Sequence, residues 1–491
     1  MANFGFFLNL AYYSPTAEMH LAHILQKKSL NKYDKCIAII CDGKFGGCSA
    51  NPLNSRFTCK YCISRAKKIC TFAKIEYTFL SENYNSKNIF YPKNLIFGAM
   101  STVASHTRAE SIKDLNFIWK LIFKKLIKAS RKTFNSISTI IRKYKISDIY
   151  IYNGRFSCSK AAKEAARYLS INFHVYDVRG QIRPYLHSNT DLHNVQISID
   201  RALKFYKEDP QKSNIVAEKY FFDRRNQKST FEKSYTQNQR KGHDGNLKKD
   251  RQIIVIYTSS DDEYRFLGED WGIKQQKVLQ AEEIKTLISK LPESQFKIII
   301  RIHPNLTGVK NRSLNKIRSF SKYSNVIIHD PDSSVDTYAL LNKADGILTF
   351  ASSIALEASF AGKRLFLIGP SPYSPLNIGH NFTNAENLCL FLKMYNYKLK
   401  NIKILNPKKA IMFANFLMRY EDPLPGFKKI NQRYSVYNYK IYPSKLHRII
   451  CLPEKALLYL TKKPNIFRWQ FLKKLFDSIK DIYRGTSSGI I

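Results

Sequence analysis

Three clusters in the C-terminal half carry residue types that hold anions. Arg301-Ile302-His303-Pro304 ends an apolar run, and the proline stops the strand, so His303 is expected to face the crevice beyond it. A His and an Arg there suit a phosphate, one through a charge-assisted bond and the other through a bidentate fork. About 50 residues on, Ser352-Ser353 follows a second apolar run and opens a helix, where hydroxyls and free N–H groups suit an anion. Glu357 lies one turn along the same face from Ser353, and its carboxylate suits the vicinal hydroxyls of a ribose. Ser259 and Ser260 end a third run and are candidates for the far side of a donor phosphate. The following Asp261-Asp262-Glu263 reads either as a cation site or as a turn with a helix cap. Each cluster alone also has an ordinary reading: a strand-end His on a carbonyl, an N-cap, a turn. Taken in order, they describe a nucleotide held by sugar and phosphate.

The N-terminal half offers a different set. Cys41, Cys48, Cys59 and Cys62 are candidate ligands of a structural zinc, although the first spacing is wider than a zinc knuckle normally uses. Reduced buried thiols and a redox pair are the alternatives. Asp42 and Asp177 end apolar runs, as do the loops that carry Arg155 and Arg179.

These residues need strand ends to position them, and the sequence supplies the rhythm. Apolar runs at Cys36–Cys41, Asp148–Tyr152 and Phe173–Tyr176 alternate with helical stretches at 111–144 and 158–169. A second series has strands at Gln252–Tyr257, Lys297–Ile302, Asn325–Ile328, Gly346–Phe350 and Arg364–Gly369. Helices are expected between them, at 273–291, 335–342 and 352–361. Strand, loop, helix, strand is the βαβ pattern of a parallel sheet. The expected domains are 1–223, a basic linker 224–251, 252–400, and a basic helical tail 401–491.

The chain has 491 residues, 44% hydrophobic and 24% charged, which fits globular domains and excludes a disordered chain. Its net charge is 80 − 38 = +42, so the expected partners are anionic. A codon bias toward Lys, Asn, Ile, Tyr and Phe is a competing source of that charge. Nothing reads as a transmembrane helix or a signal peptide, so the expected location is cytoplasmic, and the nine cysteines are expected to be reduced. Residues 467–483 place Phe471, Leu472, Leu475, Phe476, Ile479 and Ile482 on one helical face. That face suits either an anionic membrane surface at the inner side of the inner membrane or docking onto the domains.

The segments TSSDDEY (258–264), Trp271, RIHPNL (301–306), PDSSVDTYALLNKAD (331–345) and TFASSIALEASFAGK (349–363) resemble bacterial capsule and surface polysaccharide glycosyltransferases of GT-B type. CDGKFGGCSANPLNSRFTCKYCISR (41–65) and YNGRFS (152–157) extend the resemblance to the first half. The HP and SS motifs also resemble those of Kdo transferases and sialyltransferases, where the histidine and serines hold a CMP-sugar phosphate. That implies the same role for His303, Ser352 and Ser353. The acidic base motif of sialyltransferases is not evident here.

The resemblance implies an α/β fold of two Rossmann-like domains with a cleft between them. It also implies metal-independent sugar transfer from a nucleotide-sugar, CMP-linked among the candidates, to a glycan or lipid-linked acceptor. Asp42 and Asp177 become the candidates for the base, and Arg155 and Arg179 for acceptor anions. The alternatives are a polyol-phosphate transferase on the same fold and a nucleic-acid-binding protein with a zinc module. The spread of the basic residues speaks against a nucleic-acid partner.

Overall fold

The computed structural model describes residues 2–9, 16–30, 34–85, 91–179, 183–228, 235–268, 279–419, 424, 426–430 and 433–436. The chain divides into two units.

The first unit contains β1 (Asn3–Leu8), α1 (Thr16–Leu30), β2 (Lys35–Ile40), α2 (Arg56–Ala73), β3 (Glu76–Phe79), α3 (Leu95–Thr107), α4 (Phe117–Lys143), β4 (Asp148–Tyr152), α5 (Ser157–Tyr168), β5 (Asn172–Arg179) and β6 (Arg183–Ser188). Its sheet runs β3-β2-β1-β4-β5-β6, parallel except for β6. Helices cover both faces, so the strands read as continuous apolar runs. In β2, Ala38 and Ile40 pack on one side with Phe4, Phe6 and Leu8 of β1, while Ile37 and Ile39 pack on the other. Parallel neighbours need long crossovers, and helices supply them.

The second unit contains α6 (Val195–Glu208), α7 (Pro210–Arg225), β7 (Gln252–Tyr257), α8 (Asp261–Tyr264), α9 (Gln280–Lys290), β8 (Phe296–Arg301), α10 (Arg312–Arg318), β9 (Val326–His329), α11 (Thr337–Lys343), β10 (Gly346–Thr349), α12 (Ile354–Phe360), β11 (Arg364–Ile368), β12 (His380–Phe382), α13 (Ala385–Met394) and α14 (Lys408–Met418). Its sheet, β12-β11-β10-β7-β8-β9, is parallel throughout. Each sheet reverses strand order once, between β1 and β4 in the first and between β7 and β10 in the second. In open α/β sheets, ligands bind beyond the strand carboxyl ends at such a reversal. The two units are Rossmann-like α/β units.

The structure differs from the sequence reading at the borders. Helices α6 and α7, expected in the first domain, belong to the second unit. Their Ala202, Ala217, Tyr220 and Phe221 share its core with Ala410, Ala414 and Phe416 of α14. The expected linker is also held there. Leu247 is buried in that core, the Arg240 N–H donates to the Ser334 carbonyl, and the Gln239 side chain accepts from the Thr337 N–H at the start of α11. Its basic composition hid one apolar anchor and several backbone partners. The expected helical tail contains α14, but a hairpin follows it, β13 (Phe427–Ile430) with β14 (Arg433–Val436). Residues 467–483 lie outside the described residues. Among the described residues no helix is long and apolar enough to cross a membrane.

Candidate functional site

The second sheet brings most of the expected donor residues to its reversal point. Thr258, Ser259 and Ser260 follow β7, His303 and Asn305 follow β8, and Ser352 and Ser353 follow β10. The His303 N–H donates to Thr258 Oγ1 at 3.0 Å, and its Nδ1 accepts the Asn305 N–H at 3.1 Å. With Nδ1 accepting, a neutral ring carries its proton on Nε2, where it can donate to an anion. The ring of Tyr235 meets that of His303 edge-on at 5.2 Å.

Ser259 and Ser260 are buried and already engaged. Ser259 Oγ accepts the Ala351 N–H at 2.9 Å, tying the β7 loop to the β10 loop, and Ser260 Oγ accepts from the Asn305 amide at 3.3 Å. The same amide donates to Glu263 at 2.9 Å. These bonds fix the loop around His303.

Arg301 departs from its expected role as a phosphate fork. Ile298, Ile300 and Ile302 fill one side of the sheet, so strand alternation sends Arg301 to the other side with Ile299. There it is 2% exposed and donates to the carbonyls of Asp330 and Ser333. Burial lowers its pKa, against the pull of Tyr257 and the nearby aspartates. It braces the loop after β9.

Glu357 is on α12 as expected, but its side chain is fully buried and pairs with a residue the sequence reading had placed in the linker. Arg224 Nε donates to Glu357 Oε1 at 2.5 Å, and Arg224 Nη2 donates to Ser353 Oγ at 3.3 Å. Phe221 stacks on Phe360 at 4.1 Å, and Tyr220 lies under the Arg224 guanidinium at 5.4 Å. These ring contacts lay α7 along α12 and aim Arg224 at the site. The sequence signal was Asp209-Pro210, an N-cap followed by proline at the first helical position, which opens α7 ahead of Arg224.

The first unit gathers the remaining candidates at the carboxyl end of its sheet. Asp42 follows β2; Ser81 donates to its Oδ2, and Lys44 stands 3.6 Å from the same oxygen. Asp177, in β5, accepts from Tyr152 at 2.7 Å, from Asn153 at 2.5 Å and from the Val178 N–H at 2.7 Å. Burial still raises its pKa above the usual carboxylate value, although these bonds and Arg155 pull it down. Arg155 lies over the Phe156 ring at 4.9 Å. Arg179 is the last residue of β5, and its side chain lies outside the described residues.

The sequence reading missed a buried polar cluster on α1. Glu18 is 3.7 Å from Arg65, and burial outweighs that cation to raise its pKa to about 7. His20 bonds the Tyr176 hydroxyl, and burial lowers the pKa of His23 to about 3. Its sequence mark is Glu18 with His20 and His23 on one helix after β1.

Cys41, Cys48 and Cys59 do converge, joined by Cys158 of α5, around a cavity of about 20 Å³, room for one water. Burial pushes the Cys41 and Cys48 thiols well above their usual pKa. Cys59 accepts from the Asn51 amide at 3.2 Å. Gly43 is left-handed (φ +73°), and a Cβ there would collide with the Cys59 thiol. Among the described residues no group of three or more His, Cys, Asp or Glu side chains is disposed to hold a metal ion. The wide spacing spreads them over a strand end, a loop and a helix.

No family model matches this sequence, and no curated protein matches it. Among solved structures the chain is similar to a β-Kdo 2,4 transferase of KpsC from Thermosulfurimonas dismutans, at 14% identity over 55% of this chain and 79% of that one, with TM-score 0.37. It is similar to the UDP-GlcNAc 2-epimerase of Neisseria meningitidis bound to UDP-GlcNAc, at 13% identity over 84% and 97%, with TM-score 0.24. It is also similar to S. aureus MnaA with UDP, at 12% identity over 95% and 100%, with TM-score 0.25. At these TM-scores the likenesses carry no argument; the strand orders and the site residues do.

Proposed function

We propose that the chain is a glycosyltransferase of GT-B type, taking a sugar from a nucleotide-sugar on the second unit and passing it to a surface glycan or lipid-linked acceptor on the first. One observation carries this reading: His303 follows β8 and Ser352 and Ser353 follow β10, the two strands that flank β7 at the reversal of the second sheet, and Arg224 pairs with Glu357 and donates to Ser353. In this reading His303 Nε2 donates to the donor phosphate, and the two serine hydroxyls bind beside it. Donors already in place stabilise charge as it grows on the departing phosphate, without reorganisation. Arg224 pairs with the buried Glu357 and donates to Ser353, so Glu357 positions Arg224 and Ser353; the ribose contact expected of it does not fit a side chain with no exposed surface.

In the first unit an acceptor hydroxyl would lose its proton to Asp42, whose Oδ1 lies outside its bonds to Ser81 and Lys44. Asp177, with three bonds made, would position the loop that carries Arg155. Arg155 and Arg179 are the proposed contacts for acceptor anions. No metal is needed for this chemistry. We place the protein in the cytoplasm, peripheral to the membrane that presents the acceptor.

A thermal-shift panel of CMP, CDP, UDP and GDP tests the reading. A ligand of the folded state at a hundredfold excess over Kd stabilises by about 2.7 kcal/mol. A shift with one nucleotide, lost in His303→Ala, is the expected result; no shift with any of them would sink the proposal. Salt-sensitive, tight binding of DNA in place of nucleotides would move the chain to the nucleic-acid class.

A further inference from the structure

We infer that the solvent face of α4, in the first unit, is a docking surface for an anionic lipid bilayer. Helix α4 has two unlike faces. Trp119, Ile122, Phe123 and Leu126 are buried with Val103 and Leu115 in a core cluster. On the opposite arc Phe117 is 73% exposed, Ile118 45% and Leu121 43%. At 100° per residue, Lys120, Lys124, Lys125 and Lys128 fall on that same outer arc, and all four are exposed. The apolar side chains thus sit at the amino end of the helix, with lysines around and just beyond them.

The charge identifies the occupant. Helix α4 contains no Asp or Glu, and none of the four lysines forms an ion pair among the described residues. The acids just before the helix are engaged: Asp114 accepts from Ser111 at 2.9 Å, and Glu110 lies 3.8 Å from Arg265. A second copy of the chain would bring lysine against lysine. A nucleic acid would satisfy the lysines but gain little from the aliphatic Ile118 and Leu121, which cannot stack as aromatic rings do. A bilayer with anionic headgroups satisfies both: the apolar tips enter the acyl boundary while the lysines stay at the headgroups. This inference does not rest on the transferase reading, because the patch contains none of the residues proposed for sugar transfer.

The test is co-sedimentation of the full chain with phosphatidylglycerol/phosphatidylcholine vesicles and with pure phosphatidylcholine vesicles. Two variants are compared, the quadruple Lys→Gln change at 120, 124, 125 and 128, and Phe117→Ser/Ile118→Ser/Leu121→Ser. Leu390→Ser/Met394→Ser, exposed apolar residues of the second unit, is the control. The changed side chains are exposed, so melting curves like the wild type are expected.

Each lysine near an anionic surface contributes about 1 kcal/mol, or about fivefold. The quadruple change should therefore lower partitioning more than a hundredfold. The triple serine change should lower it more than tenfold, and the control should bind as wild type. The inference is overturned if wild type does not pellet with the anionic vesicles or pellets equally with the neutral ones. It is also overturned if folded variants partition as wild type. Capture of duplex DNA that is lost in the lysine variant, without vesicle binding, would assign the face to nucleic acid instead.

Discussion

Replacing Arg224 by Met should destabilise the second unit sharply, and a second substitution should repair much of the damage. Arg224 Nε is 2.5 Å from Glu357 Oε1, and the Glu357 side chain is fully buried while Arg224 is 20% exposed. Removing the guanidinium leaves a carboxylate in a site that water does not reach. Breaking one partner out of a buried pair costs about 3–5 kcal/mol, because the other charge is stranded. In a unit of this size each kcal/mol moves Tm by about 2–4 °C, so a fall of about 6–20 °C is expected. Adding Glu357→Gln removes the stranded charge, and the double variant should be more stable than Arg224→Met alone by at least about 2 kcal/mol. The assay is a double-mutant cycle by urea unfolding followed by fluorescence. Nucleotide-induced stabilisation should be lost in all three variants, since Ser353 and Glu357 lose their geometry. If the two single changes simply add, with a coupling below about 0.5 kcal/mol, the pair does not act as a unit. The argument for Arg224 would then fail.

His303→Ala should lower turnover by about 10²–10³ while leaving Tm close to wild type, because it lies in the loop after β8, outside the core; unchanged turnover in steady-state assays would remove it from the site. Asp42→Asn should reduce turnover by a larger factor than Asp177→Asn at neutral pH, and the reverse order would exchange their proposed roles. His23 has a folded pKa depressed from 6.5 to about 3, so its contribution is complete above pH 6.5 and is lost as pH falls toward 3, about 5 kcal/mol over that window. His23→Leu should flatten the acid limb of a stability–pH profile, and parallel profiles would show that His23 does not drive it. Cys41 and Cys48, held protonated by burial, should react with maleimide at pH 7.5 far more slowly in the native chain than in denaturant.

The strands that build both sheets were legible because parallel strands covered on both faces become short apolar runs ended by polar loops. Gln252–Tyr257 matches β7 residue for residue, and the run around Lys297–Ile302 is β8 shifted by one. The placement of His303, Ser352 and Ser353 followed, since parallel strands carry their carboxyl ends to one edge. Side-chain partners were not legible, because they depend on which helix packs where. Arg224 reaches Glu357 across 133 positions of sequence, and Cys158 joins Cys41 and Cys48 only once α5 lies beside the β2 loop. Arg301 was misread because its motif fixes where the strand ends, while alternation fixes which side it faces. The sequence by itself determined the elements and the strand ends that carry the candidate site, since burial periodicity is a local property. Only the tertiary structure decided which charges neutralise one another there, since a buried ion pair needs two segments that packing alone brings within hydrogen-bond reach.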